Sequence, residues 1–147
     1  MDETRLYLSV GGFGADPAAV SDLVGLKPTF AGVAGEPLPN RPSMRRRHER
    51  WEFASPLAPS EPVAEHLAAL LPILEKRAAK VREVLARFDA LLQCVIYVRE
   101  GCNPGFDLPN DLIARVGSLG LSLDFDIYCL TDGDQSAADP LSSREHG

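Results

Sequence analysis

From Arg5 to Phe13 the chain alternates, with Leu6, Leu8 and Val10 set against Arg5, Tyr7 and Ser9. A period of two places the two sets on opposite faces, so a half-buried strand is predicted. Asp16-Pro17 then supplies an N-cap and a first helical residue. Val20, Leu23 and Val24 follow at helical spacing, and Gly25 is the stop of a short helix. Pro28, Gly32, Gly35, Pro37, Pro39 and Pro42 exclude long regular elements from 26 to 42 and leave a loop with one short edge strand. Trp51 and Phe53 on one side, with Glu52 on the other, predict a strand over 48–55 in which Trp51 anchors the core.

The strongest helical signal starts at Ser60, with Pro62 in the first turn and Glu61 and Glu65 near the positive end of the helix dipole. Val63, Leu67, Leu70 and Leu71 form its buried stripe. Pro72 is expected to kink or restart it, because proline lacks the N–H and clashes with the preceding turn. A second helix to Phe88 buries Ile73, Leu74, Val81, Val84, Leu85 and Phe88 and turns a charged face to water. The nearly unbroken apolar run from 90 to 98 reads as a central strand covered on both faces. Asn110 caps a last helix carrying Leu112, Ile113, Val116 and Leu119, stopped by Gly120. A final strand sets Leu121, Leu123, Phe125, Ile127 and Cys129 against Ser122, Asp124, Asp126 and Tyr128.

This order implies one α+β domain over residues 1–130: a single sheet of four to five strands with helices mainly on one face, a ferredoxin-like arrangement being one candidate. Beyond 130 the composition turns polar, so 131–147 is expected to be a disordered tail. At 147 residues and 45% hydrophobic the chain is large enough for its own core without a disulfide framework. Its three cysteines are odd in number and lack a C-x-x-C pair, which fits a reducing, cytoplasmic location. Cys94 and Cys129 fall within strands and Cys102 is the thiol expected to be exposed. No export signal opens the chain, and no apolar stretch approaches the roughly 20 residues needed to cross a membrane.

Several of these segments resemble a bacterial family known as domain of unknown function 4279. They are the opening strand leading to Asp16-Pro17, the Gly25-Leu26-Lys27-Pro28-Thr29 turn, Gly35-Glu36 before the strand with Trp51, the long helical middle, and Leu123-Asp124-Phe125-Asp126-Ile127-Tyr128. Ala34 stands before Gly35-Glu36 where the family pattern has a lysine. The resemblance implies unity of fold and, by the family's own description, no activity.

Charge changes the picture in one place. The net charge of −6 disfavours a general nucleic-acid binder, yet Arg41, Arg45, Arg46, Arg47 and Arg50 face only Glu49 between residues 41 and 50. With Trp51 beside them, these guanidinium groups have the chemistry to grip phosphate or an acidic partner; the alternative is a solvated hairpin bonded to the protein's own carboxylates. Asp124 and Asp126, with Tyr128, share one face of the last strand and form a second candidate, as paired carboxylates or a cation site. Other motifs fall short. Gly11-Gly12-Phe13-Gly14 is neither G-x-G-x-x-G nor a P-loop, and Asp132-Gly133-Asp134 lacks the EF-hand spacing. Cys102 would need His48 or His66 beside it to act as a nucleophile, and His66 is expected on a helix rim.

No catalytic residue set, metal or cofactor is therefore predicted, and an enzyme is the less favoured class. The leading expectation is a module that binds another protein, an immunity-type protein masking a toxin being one concrete form. The alternative is a small-ligand or nucleotide-binding domain, an enzyme being one form of it, in which the arginine loop, Trp51 and the Asp124/Asp126 face converge on one pocket. An edge strand near the basic loop offers a route to homo-oligomers.

Overall fold

In the computed structural model, which describes residues 2–131, the opening alternation forms β1 (Glu3–Gly11). Leu6, Leu8 and Val10 are buried beneath the helices. α1 (Ala18–Val24) follows and ends at Gly25, whose φ of 73° lies in the left-handed region and returns its N–H to the Ser21 carbonyl. Pro17 occupies the cap position, while Asp16 Oδ1 accepts the Ala18 N–H at 2.9 Å from one residue further out.

The proline-rich stretch contains more strand than its composition implies. β2 (Phe30–Gly32) joins the main sheet, and β3 (Pro37–Leu38) pairs with β4 (Arg41–Arg45) as a separate two-stranded ribbon. β5 (Arg50–Ala54) returns to the main sheet and buries Trp51 completely. Next come α2 (Val63–Glu75), α3 (Ala78–Arg87), β6 (Asp89–Arg99), α4 (Asn110–Ser118) and β7 (Leu123–Leu130). The sheet order is β2-β5-β1-β6-β7; β1 is antiparallel to β5 and β6, and β6 is parallel to β7 across the α4 crossover.

Buried residues of all four helices join Leu6, Leu8, Val10, Leu92, Cys94, Ile96 and Val98 in one core, so the helices cover a single face. This is the α+β architecture that the pattern implies. Leu67, Leu70, Leu71 and Leu74 of α2 are fully buried there, each worth roughly 1.5–3 kcal/mol of apolar transfer. On the opposite face a smaller cluster of Tyr7, Val95 and Tyr97 is packed by Ala54, Tyr128 and Leu130. The expected tail, 132–147, lies outside the described residues.

Four local expectations are corrected. α2 runs through Pro72 and breaks only at Arg77, where φ is −121°. Pro72 and Ala68 are both exposed, so the carbonyl that loses its donor and the ring itself face water. His66 is not on a rim but is 2% exposed, turned inward beside Leu67 and Leu70. Asn110 is the first residue of its helix, with Pro109 in the cap position. On β7, Cys129 is exposed and Ile127 is 45% exposed, whereas Tyr128 is half-buried. β7 is an edge strand with a small apolar cluster on its other face, so its alternation does not separate core from solvent.

Candidate functional site

Part of the arginine cluster is absorbed into the fold. Arg46 is 3% exposed, its guanidinium 4.9 Å from the centroid of the Phe30 ring. Its backbone N–H donates to the Glu36 carbonyl at 2.7 Å, and its carbonyl accepts the Gly35 N–H at 2.8 Å. Arg45 Nη1 donates to the Gly35 carbonyl at 3.2 Å, and Arg50 Nε lies 3.7 Å from Glu52 Oε2. The Arg46 guanidinium thus joins the ribbon to Phe30 of β2, whereas the Arg50–Glu52 contact lies within β5. Arg41, Arg45 and Arg47 are exposed. Trp51 is in the core, where its Nε1 donates to Ser21 Oγ at 3.0 Å. The glycine loop is likewise closed by the protein itself, since the Gly12 N–H donates to Glu49 Oε1 at 2.9 Å.

Asp124, Asp126 and Tyr128 do share a face, opposite the helices. Asp126 Oδ2 accepts from Gln93 Nε2 at 2.9 Å; burial first, and the Asp124 charge second, raise its pKa. Tyr128 stacks on Tyr97 with ring centroids 5.5 Å apart, and burial followed by the Asp126 charge raises its pKa too. No group of three or more acidic, His or Cys side chains among the described residues has a metal-holding geometry.

These candidates do not meet. β1 and β6 stand between β5 and β7, a separation of about 14 Å at ordinary strand spacing. Trp51 is on the helix face and the aspartates on the other. The pocket that would unite arginines, tryptophan and aspartates is not formed. Nor do Cys102 and His66 pair: Cys102 is exposed in the loop after β6, while His66 Nδ1 lies 2.8 Å from Ser55 Oγ.

A different surface emerges at β7. Phe106, Ile113 and Ile127 are the exposed large hydrophobic residues among those described, at 40%, 50% and 45% exposure, and all belong to the crossover from β6 to β7 or to β7 itself. Phe106 stacks on Phe125 at 5.2 Å, and Ile127 sits directly opposite Ile96 in the ladder. Ile96 and Phe106 also line a cleft of about 190 Å³ with Thr4, Glu61, Val63 and Asp2. Cleft and strand edge meet at Phe106, and the cleft is smaller than the roughly 300–1,000 Å³ that most drug-sized ligands need.

The family described as domain of unknown function (DUF4279) matches residues 2–130. The chain belongs to the DUF4279 family. No curated protein and no solved structure matches this DUF4279 chain. No described helix of the DUF4279 domain is long and apolar enough to cross a membrane.

The alternation along 121–130 hides this surface, because it groups the exposed Ile127 and Cys129 with the buried Leu121 in one apolar set. The missed signal was positional. A strand that closes a domain after a crossover helix becomes an edge, and Phe106 in the preceding Asn103-Pro104-Gly105 loop had no helical or strand period to bury it.

Proposed function

We propose that this DUF4279 domain is a protein-interaction module that recognises its partner through the β7 edge and the adjoining Phe106 cleft. The observation that carries it is the grouping of Phe106, Ile113 and Ile127 on one crossover unit, beside a strand with no neighbour on its outer side among the described residues. Apolar side chains at a sheet edge, here Ile127 and the Phe106–Phe125 pair, lose their hydration when a second polypeptide covers them, and an open edge supplies backbone donors and acceptors for an added strand. The exposed arginines, Arg41, Arg45 and Arg47, belong to the separate β3–β4 ribbon and the segment after it and are not needed for this reading.

The test is a paired affinity capture with the tagged chain and with its Phe106→Asp/Ile127→Lys double variant. A specific protein held by the first and lost by the second, with unchanged Trp51 fluorescence, is expected. An identical set of captured proteins would overturn the reading. The immunity-type form adds a stricter requirement: the captured protein is a toxin whose activity the complex suppresses.

A further inference from the structure

Resting on that reading, we propose that the occupant of the β7 edge is a second copy of this chain, paired antiparallel about a two-fold axis at Ile127.

The hydrogen-bond pattern identifies which groups are available. The Leu92 N–H donates to the Ser122 carbonyl and the Glu100 N–H to the Leu130 carbonyl. In a parallel ladder the N–H and C=O of one residue point to the same side, and the next residue's point away. Residues 122, 124, 126, 128 and 130 therefore face β6, and the N–H and C=O of Leu123, Phe125, Ile127 and Cys129 point outward. These outward residues carry their side chains on the helix face, continuous with Phe106 and Ile96. β7 has eight residues without lysine or proline, and its two charges, Asp124 and Asp126, lie on the face away from the helices. The other edge strand, β2, has only three residues, so self-pairing beside the basic loop has little ladder to use.

Charge selects the register. A two-fold axis must place outward residues opposite outward residues. Centred on Phe125 it sets Asp124 against Asp126 of the second copy, and centred on Asp126 it sets the two Asp126 carboxylates against each other. Like charges directly opposite are destabilising. Centred on Ile127, Asp126 faces the Tyr128 phenol of the second copy, a hydrogen-bond donor, and Asp124 faces Leu130. On the other face Ile127 meets its own equivalent and Phe125 meets Cys129. Sliding the axis to Tyr128 shortens the ladder to residues 126–130. The strand's own order of side chains thus complements itself in one full-length register, which a closed two-fold dimer requires.

Ile127→Cys, in a background with Cys102 and Cys129 replaced by serine, places two thiols across the axis. Hydrogen-bonded pairs in antiparallel sheets have Cα atoms about 5.5 Å apart, within disulfide range. Mild oxidation of the full chain is expected to give a reducible covalent dimer in high yield, whereas Ile113→Cys in the same background gives little. Sedimentation of the unmodified chain from about 1 µM to about 1 mM should show a monomer–dimer equilibrium, weakened at least tenfold by Ile127→Lys with unchanged melting temperature. A monomer throughout this range with no Ile127→Cys cross-link would overturn the second-copy assignment. If the paired capture still yields a protein dependent on Phe106 and Ile127, the interaction reading survives alone; if neither experiment responds, both fall.

Discussion

Arg46 shows what one residue contributes when the chain closes around it. An added Cβ at Gly32 would sit 2.7 Å from Arg46 Nε and 3.2 Å from the Phe30 ring, so only glycine admits the guanidinium at this place. Gly32→Ala is expected to expel Arg46, free the β3–β4 ribbon and cost about 1–3 kcal/mol in denaturant unfolding. His66 makes a pH-dependent contribution. Its Nε2 is buried with no hydrogen-bond partner, and burial lowers its pKa below 6.5 against the opposing influence of Glu61. The native state therefore holds it neutral while the unfolded chain takes up a proton as pH falls through 6.5. Stability should decline from there down to the lower folded pKa, and His66→Gln should flatten that segment of the stability–pH curve.

Among the elements, α2 was the most legible and also the place where a rule misled. Leu67, Leu70 and Leu71 at helical spacing announced the buried face, but the same rule that makes proline a breaker does not say which way it points. With Pro72 and Ala68 both toward water, Pro72→Ala is expected to stabilise the chain by about 1–3 kcal/mol, read as a rise in melting temperature. α4 is tied to α2 by a forked pair, Arg115 Nε and Nη2 to Glu75 Oε2 and Oε1 at 2.9 and 2.7 Å. Hydrogen bonding to Arg115 lowers the Glu75 pKa from 4.5. That contribution is present above 4.5 and lost as pH falls through the lower folded value, so Arg115→Met should flatten the acid limb of the stability curve. Such pairings, separated by forty residues, leave no periodic trace in a sequence. Strands and helices were readable because burial repeats at fixed spacing. The sheet order and the outward side of β7 were not, because they depend on which strand closes the edge. Adjacency in sequence likewise carries no information about whether an arginine faces water, as Arg41, Arg45 and Arg47 do, or the Phe30 ring, as Arg46 does.

At the scale of the whole molecule, two copies each carrying a charge of −6 repel as they approach. The contact surface at Ile127 is apolar, so added salt should screen that repulsion and strengthen the dimer, the reverse of an assembly held by ion pairs. Sedimentation at low and high ionic strength checks the direction.

The position of β1 also has a temporal meaning. Of this domain's strands it is the first to be translated, yet it lies mid-sheet with Leu8 opposite Phe53 on one side and Leu92 on the other. β5 can join it once about fifty residues have followed, but its second partner is translated only some eighty residues later. Until then an apolar strand edge stays open to the cell, and a nascent chain that pauses before β6 carries the surface most prone to aggregate. Contacts so distant along the chain also place this domain among the slower folders of its size.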